Sequence, residues 1–289
     1  MDGILILDKP EGFTSFDCVA KLRGIYRMKK VGHGGTLDPM ATGVLPVFFG
    51  NATKTIQYAP DSTKEYIAGV SFGIKTDTGD RTGTTTETSD VFPSEEELKK
   101  VLEGFVGRIS QIPPMYSALK VNGKKLYDLA REGKTVERKP RDIEIYALDL
   151  LGYDPGAKRI EIRVGCSSGT YIRTLAEDIA EKCGSCATLN SLRRTMCMGF
   201  RESEAVKFET LESSADPAEY LRDMMSVFRD AEDQELDGKN ADRFMNGAPV
   251  RTDIETDRLI KVRCEDRVLG IARNERGYLK KLIHLAQGE

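Results

Sequence analysis

The segment spanning residues 31–49, VGHGGTLDPMATGVLPVFF, constrains the fold more than any other, because it joins a glycine-rich turn to a long apolar run. Pro39 disfavours helical backbone at the preceding Asp38, so that carboxylate is expected on an extended or turn conformation. The apolar run that ends at Phe49 predicts a buried strand that anchors the turn. The segment predicts a carboxylate displayed on a loop, although an Asp-Pro pair in a glycine-rich loop is more often a simple turn.

The chain of 289 residues is long enough for a full hydrophobic core, and its size suits one large domain or a large domain with a small one. The apolar run near the N-terminus, GILIL, is too short for a secretory signal. No later run approaches the roughly 18 apolar residues that a membrane span requires. We therefore expect a cytoplasmic protein without membrane association.

The six cysteines are scattered along the chain, which favours reduced thiols. Only Cys183 and Cys186 have metal-ligand spacing, and the sequence holds two histidines and no second CxxC pair. Because a structural zinc site needs about four ligands, we expect no metal site.

The net charge of -3 hides a segregation of charge along the sequence. Residues 114–145 carry a net charge of +3 and residues 156–201 one of +4, whereas residues 202–235 carry -8. The first two segments leave room for a basic face on which a polyanion such as RNA could lie. The alternative is solvated charge without a partner.

Thr14, Ser15 and Asp17 predict the N-terminal cap of a first helix. Periodicity predicts several further elements. Residues 64–73 alternate as a strand that buries Tyr66, residues 94–105 form a helix with a capping box at Ser94, and residues 142–151 and 159–166 pair as antiparallel strands. The segment 76–90 is expected as a polar loop.

The basic segment of about 115–145 is expected to be an excursion from the core, with a hairpin turn at Asn122-Gly123. The tail after residue 236 has short β-rich runs typical of a small barrel.

Arg173 lies in the first turn of a further predicted helix, where the helix dipole disfavours a cation. A buried carboxylate would hold it there, and Asp38 is the candidate. Such a pair would favour the ionised carboxylate, which suits a nucleophile or a base. The alternative is a surface arginine that pairs with Glu177, one turn further along the helix.

Two aromatic side chains are weaker candidates. Tyr66 has a phenol that could stack on a planar base and still reach a proton, although a tyrosine in a strand is more often part of the core. His33 could be an aromatic wedge or a turn residue, and no serine or cysteine accompanies it in a recognisable triad motif.

Six collinear segments together resemble one family, the bacterial tRNA pseudouridine synthases of the TruB type. They are GILILDKPEGFTS, GHGGTLDPMATGVLPV, KEYIAGVSFGIKTDTGD, QIPPMYSALKVNGKKLYDLAREG, SSGTYIRTLAEDI and LNSLRRTMCMGF, and they span most of residues 3–200. The family converts the T-loop uridine at tRNA position 55 to pseudouridine.

The resemblance implies an α+β fold with a mixed, mostly antiparallel sheet and flanking helices. It also implies a catalytic domain over residues 1–235, a thumb-like RNA-gripping insertion at about 115–145, and a PUA-like RNA-binding module over residues 236–289. The reaction is an isomerisation, so no cofactor is expected. The expected partner is the T-arm stem-loop of tRNA, which the enzyme binds as a monomer without an obligatory protein partner.

The resemblance also assigns roles to single residues. Asp38 is the catalytic aspartate, Arg173 its salt-bridge partner, and Tyr66 the ring that stacks on the flipped uracil. Lys9 and Pro10 brace the active-site loop, while His33 takes the place that the base vacates in the RNA. The remaining expected substrate contacts are Leu192 in the base pocket, Tyr171, and the basic residues Lys120, Lys124, Lys125, Arg131, Arg138 and Lys139.

Two other functions remain open at this stage. A guide-RNA-dependent synthase of the dyskerin type shares the aspartate motif but works inside an RNA-protein particle. A tRNA-binding or tRNA-folding protein without catalysis would use the same scaffold. The GKKLYDLAREG insertion favours an enzyme that acts alone, and an intact set of Asp38, Tyr66 and Arg173 favours catalysis.

Overall fold

The computed structural model describes residues 1–59, 63–117, 119–121 and 123–284, with the backbone alone for residues 125 and 284. The α-helices in chain order are α1 (Ser15–Ile25), α2 (Glu95–Glu103), α3 (Leu126–Arg131), α4 (Ile172–Lys182), α5 (Phe208–Ser213) and α6 (Gly238–Met245). Four short 3-10 helices span Gly50–Tyr58, Glu202–Glu204, Pro217–Tyr220 and Met224–Phe228.

The strands are likewise numbered in chain order. They are β1 (Gly3–Lys9), β2 (Val31–His33), β3 (Thr42–Phe49), β4 (Lys64–Phe72), β5 (Ile74–Thr76), β6 (Thr85–Thr88), β7 (Gly107–Gln111), β8 (Lys120–Val121), β9 (Lys124–Lys125), β10 (Arg141–Asp154), β11 (Arg159–Cys166), β12 (Ala187–Cys197), β13 (Phe200–Arg201), β14 (Glu232–Glu235), β15 (Ile260–Cys264), β16 (Arg267–Glu275) and β17 (Tyr278–His284).

One large sheet organises the first two thirds of the chain. Its strand order is β1-β3-β12-β4-β11-β10-β7, with β2 paired to β3 and β13 paired to β12. Neighbouring strands are antiparallel except β3 and β12, which run parallel. The predicted α+β class, with a mixed and mostly antiparallel sheet, is confirmed.

The pairing of β3 with β12 places a buried arginine between two neighbouring strands. Arg194 on β12 lies opposite Gly43 of β3 on one side and opposite Tyr66 of β4 on the other. Gly43 has φ of +99°, and a side chain there would collide with the carbonyl oxygen of Arg194. Glycine is therefore required for the two strands to approach this closely.

Helices cover the sheet according to the predicted patterns. The alternation in β4 buries Tyr66, Ala68, Val70 and Phe72 in a core shared with α2 and α4. Because both faces of β1 are covered, its apolar residues are buried without alternation. The sequence pattern of β4 thus predicted which face is buried.

Side-chain caps fix the starts of α1 and α2. The Thr14 hydroxyl accepts a hydrogen bond from the backbone N–H of Asp17, whose carboxylate accepts one from the Thr14 N–H. Ser94 and Glu97 repeat this reciprocal arrangement at α2. Each pair satisfies two backbone donors that would otherwise lack partners, so both predicted caps are confirmed.

The sequence predicted a polar loop over residues 76–90, and this prediction is wrong for part of the segment. It contains β6, which pairs with β5 in a small two-stranded sheet. All four residues of β6 are exposed. With neither face buried, the strand has no apolar alternation, so periodicity could not reveal it.

The basic excursion leaves the main sheet after β7 and returns at the start of β10. It carries the hairpin of β8 with β9 and the short helix α3, whose Leu126 and Leu129 are buried. Residues 141–145 pair with β7, so the insertion predicted over 115–145 ends at residue 140. Asn122 of the predicted turn lies outside the described residues, while Gly123 has φ of +82°.

The C-terminal segment forms its own sheet, in the order β14-β15-β16-β17. This sheet begins at Glu232, inside the segment assigned from sequence to the catalytic domain. Its Ile271 and Ile283 share an apolar cluster with Ile4 and Phe48 of the main sheet, so the module packs directly on the larger domain. Within the described ranges, no helix is both long and apolar enough to cross a membrane.

Candidate active site

Asp38 and Arg173 form an ion pair, as the sequence predicted. The Arg173 Nε donates to Asp38 Oδ2 at 2.9 Å, and Nη2 donates to Oδ1 at 3.2 Å. The Asp38 side chain retains 32% of its exposure, whereas that of Arg173 retains only 6%. The guanidinium therefore holds both carboxylate oxygens from beneath and leaves one edge of the carboxylate open to a substrate.

The rest of the Arg173 side chain is also tied down. Its Nη1 donates to the carbonyl of Thr78 at 2.8 Å, and its Nη2 donates to the carbonyl of Tyr116 at 2.8 Å. Glu177, the alternative partner, pairs instead with Lys75 at 3.5 Å. Arg173 thus joins the loop of residues 34–41 that carries Asp38, the turn after β5 and the base of the excursion through one buried cation.

Gln111 fixes the start of the helix that carries Arg173. No side chain caps α4 at Tyr171, but the Gln111 amide oxygen accepts from the Tyr171 N–H at 2.8 Å and the Gln111 amide nitrogen donates to the Tyr171 carbonyl at 3.1 Å. Gln111 is 2% exposed. Sequence analysis missed this residue, since a glutamine at the end of a strand carries no distinctive signal.

Lys9 and Pro10 lie under the same loop. The fully buried Lys9 Nζ donates to the carbonyl of Pro10 at 2.8 Å and to that of Pro39, the neighbour of Asp38, at 3.2 Å. The backbone N–H of Gly12 donates to the Pro39 carbonyl as well. Burial lowers the pKa of Lys9. The Lys9 side chain and the Gly12 N–H of the N-terminal motif therefore both hold the loop at the backbone carbonyl of Pro39.

Arg194 supports the other end of the loop. It is fully buried, and its guanidinium donates to the carbonyls of Val44 at 2.7 Å, Gly35 at 3.1 Å and Thr36 at 3.3 Å. Sequence analysis missed Arg194, although a signal existed: it lies two residues after Leu192 on one strand, so it shares the inward face.

Tyr66 and Leu192 lie near this arginine. Tyr66 is 5% exposed and Leu192 6%, and both belong to the core cluster that also holds Leu37, next to Asp38. Burial raises the pKa of the Tyr66 phenol, an effect that the nearby Arg194 charge opposes. The phenol is therefore neutral at physiological pH, with its ring between the apolar core and the loop.

His33 ends β2, where the glycine-rich turn begins. Its imidazole is half-buried, and burial together with the charge of Arg194 lowers its pKa. Its Nδ1 is buried and has no hydrogen-bond partner among the described residues. At neutral pH the His33 imidazole is therefore an uncharged aromatic ring directly before the loop that carries Asp38.

The remaining predicted contacts are Tyr171 and the basic residues of the excursion. Tyr171 is half-buried at the start of α4, and burial raises the pKa of its phenol. Lys124 and Arg131 are exposed on the excursion, with the Arg131 guanidinium over the Tyr127 ring. The side chain of Lys125 lies outside the described residues. No group of three or more metal-ligating side chains occurs in the described part of the chain.

Chemically, the arrangement offers one carboxylate paired with a buried guanidinium, a neutral phenol and an apolar floor. Such a set can act on a flat, weakly polar substrate group as nucleophile or base. It brings Asp38, Arg173, Tyr66, Leu192, Lys9 and Pro10 together around one loop.

Two family models match adjacent parts of the sequence. The model described as "TruB family pseudouridylate synthase (N terminal domain)" matches residues 23–172, and that described as "tRNA pseudouridylate synthase B C-terminal domain" matches residues 173–228. Their junction falls inside α4, between Ile172 and Arg173. Asp38 therefore lies in the first model and Arg173 in the second, so the two models together cover the ion pair.

Curated relatives span nearly the whole chain. A tRNA pseudouridine synthase B of Oceanobacillus iheyensis is 44% identical over 252 residues, covering 86% of this chain and 83% of the relative. One of Dechloromonas aromatica is 41% identical over 291 residues, covering 99% and 97%.

A solved structure described as "Crystal Structure of a Cbf5-Nop10-Gar1 Complex" superposes with a TM-score of 0.72 at 24% identity, covering 96% of this chain and 83% of that one. This likeness supports the fold alone. The family models and the curated relatives go further, and they confirm the resemblance seen in the sequence: the chain belongs to the TruB family of pseudouridylate synthases.

Proposed function

We propose that this chain converts a uridine in the T loop of tRNA, at position 55, to pseudouridine, with Asp38 as the reacting carboxylate. The substrate class is supported by the name shared by its curated relatives, tRNA pseudouridine synthase B. The role of Asp38 rests on one observation, which is the buried Arg173 guanidinium that grips both carboxylate oxygens and leaves an open edge.

The reaction breaks the bond between the sugar and the uracil nitrogen, rotates the uracil and joins its carbon 5 to the same sugar carbon. Carbon 5 loses its proton at the end and the former glycosidic nitrogen gains one, so atoms and electrons balance without a redox partner. A carboxylate oriented by a guanidinium can add to the sugar or remove its 2′ proton, and both routes use the same Asp38. The neutral phenol of Tyr66 suits stacking on the uracil and proton transfer at carbon 5.

A stacked T-loop base cannot reach a carboxylate on this loop, so the uridine must flip out of the RNA. The unstacking costs a few kcal/mol, which stacking and backbone contacts offset. In this proposal His33 would fill the vacated place, and Leu192 would line the base pocket. Tyr171 and the basic residues of the excursion, Lys124, Lys125 and Arg131, would contact the RNA backbone.

We further propose that the enzyme acts as a monomer in the cytoplasm, without a guide RNA or a protein partner, and that residues 236–289 serve as a PUA-like RNA-binding module. A basic excursion within the chain itself supplies a surface for the RNA. A bare T-arm hairpin is then a sufficient substrate.

The test is tritium release from carbon-5-labelled uridine in tRNA and in a T-arm hairpin. We expect the purified chain to release label from both and Asp38→Asn to release almost none. Glu204→Gln is the control, because the Glu204 side chain is 23% exposed and also pairs with an arginine, Arg222 at 3.1 Å, outside the residues assigned to the site, so this variant should retain activity. Absence of release by the wild type, or equal release by Asp38→Asn, would contradict the proposal.

A further inference from the structure

Phe16 has an exposed fraction of 70%, the highest among the large apolar side chains in the described ranges. It lies in the first turn of α1, whose buried residues Cys18, Val19 and Leu22 form the opposite, core-facing side. The Phe16 ring therefore contributes little to the core. A single exposed apolar side chain is common in proteins, so exposure alone does not imply a function.

The position of Phe16 is more informative than its exposure. The neighbouring Ser15 is buried, and its hydroxyl accepts from the Leu37 N–H at 2.9 Å and donates to the Leu37 carbonyl at 3.3 Å. Leu37 directly precedes Asp38. The capping box of Thr14 with Asp17 fixes the backbone on either side. Phe16 is thus held rigidly beside the catalytic loop.

The ring of Phe16 also meets His33. The two ring centroids are 5.4 Å apart and the planes are nearly perpendicular, at 89°. This edge contact orients the phenyl group while most of its surface remains in solvent. The two aromatic side chains together border the glycine-rich turn on the side where α1 begins.

We propose that Phe16 is a stacking platform for an unpaired base of the RNA next to the flipped uridine. This inference rests on the proposed function, because it needs RNA at the Asp38 loop. An aromatic face binds any base without reading its sequence, and its rigid attachment limits the entropy lost on binding. His33 would fill the vacated place while Phe16 supports the neighbouring nucleotide.

The sequence contains no tryptophan, which makes a direct test available. Phe16→Trp places a single fluorophore at the proposed contact and preserves an aromatic face. Val91→Trp is the control: Val91 is 47% exposed, and its carbonyl accepts from Ser185 just beyond the end of α4. Since α4 has 11 residues, this site lies roughly 16 Å along the helix from Arg173.

We expect a T-arm hairpin to quench Phe16→Trp emission in a saturable way and to leave Val91→Trp emission nearly unchanged. Phe16→Ala and Phe16→Leu should both bind the hairpin between about 5-fold and about 100-fold more weakly than wild type, which is the range of base–aromatic stacking. Leucine keeps the apolar bulk without the aromatic face, so it separates stacking from simple apolar contact.

Failure of this inference differs from failure of the proposed function. If wild type binds and modifies the hairpin but Phe16→Ala or Phe16→Leu binds equally well, stacking at Phe16 is wrong and the proposed function stands. Unchanged emission of Phe16→Trp at saturating hairpin would also refute stacking. If wild type neither binds nor modifies the hairpin, both proposals are wrong.

Discussion

Replacement of Arg194 by methionine should remove the hydrogen bonds that hold the Asp38 loop against β12. The guanidinium donates to the carbonyls of Gly35, Thr36 and Val44, which flank Asp38 on both sides along the chain. Methionine keeps an apolar side chain of moderate length but donates no hydrogen bond. The loop would then lose the contacts that hold both of its ends.

The magnitude follows from the three contacts. A hydrogen bond to a charged group contributes roughly 1.5–3 kcal/mol, so the gross loss is about 5–9 kcal/mol. Methionine also removes the cost of burying a charge, which returns several kcal/mol. We expect the free energy of unfolding to fall by about 2–4 kcal/mol. For a chain of 289 residues, with an unfolding entropy of about 0.6 kcal/mol/K, that corresponds to a melting temperature lower by roughly 3–7 °C.

Activity should fall further than stability explains. A displacement of about 1 Å at a reacting group can cost about 100-fold in rate. We therefore expect tritium release at 20 °C, where the variant is still folded, to drop by about 100-fold. Folding at that temperature is checked by circular dichroism, and RNA affinity is measured separately so that the loss is assigned to turnover.

Arg193→Met is the matched control. Arg193 is the adjacent arginine on β12 but faces the opposite side, where it pairs with Asp8 at 3.0 Å and Glu202 at 2.8 Å. Its side chain is 38% exposed, so the loss of these pairs should cost at most about 1 kcal/mol each. Wild-type turnover by folded Arg194→Met, or an equal loss in Arg193→Met, would refute the proposed role of Arg194.

Three further substitutions test the site and its surroundings. Arg173→Lys keeps the cation but cannot hold Asp38 with two parallel hydrogen bonds, so turnover should fall at least about 10-fold. The variant should bind RNA with the affinity of wild type, and unchanged turnover would contradict this prediction. Tyr66→Phe should lower tritium release with little change in affinity, and because burial raises the phenol pKa, the wild-type rate should show no alkaline decline up to pH 9 from this group. Burial and the neighbouring acidic residues raise the pKa of Asp178 to about 6, above its value of 3.8 in the unfolded chain. Its ionisation therefore destabilises the fold progressively as the pH rises from about 4 to about 6, and Asp178→Asn should raise stability by about 1–2 kcal/mol at pH 8, an advantage that thermal melts should show vanishing toward pH 4.

Local patterns predicted the elements that use local physics. The alternation around Tyr66 and the caps at Thr14 and Ser94 depend on neighbours within a few residues, so the sequence revealed them. The Asp38–Arg173 pair spans 135 residues, yet it could be anticipated because a cation at the start of a helix needs a compensating anion.

Other contacts could not be anticipated. Gln111 and Arg194 bind backbone carbonyls and N–H groups that every residue possesses, so no partner residue type reveals them. The spacing of Arg194 from Leu192 indicates the inward face of the strand but not the loop that Arg194 binds. The parallel pairing of β3 with β12 joins strands far apart in the sequence, and only that pairing places Arg194 beneath the loop. Polar strand β6 had no periodicity to detect.

The central claim is that Asp38, held by Arg173, performs the isomerisation. Single-turnover tritium release from a T-arm hairpin, measured with the binding affinity of the same hairpin, tests it most directly for Asp38→Asn. Asparagine keeps the shape and one acceptor oxygen but not the charge. The account predicts a rate lower by at least about 1,000-fold with affinity within about threefold of wild type. A release rate within about tenfold of wild type would contradict it.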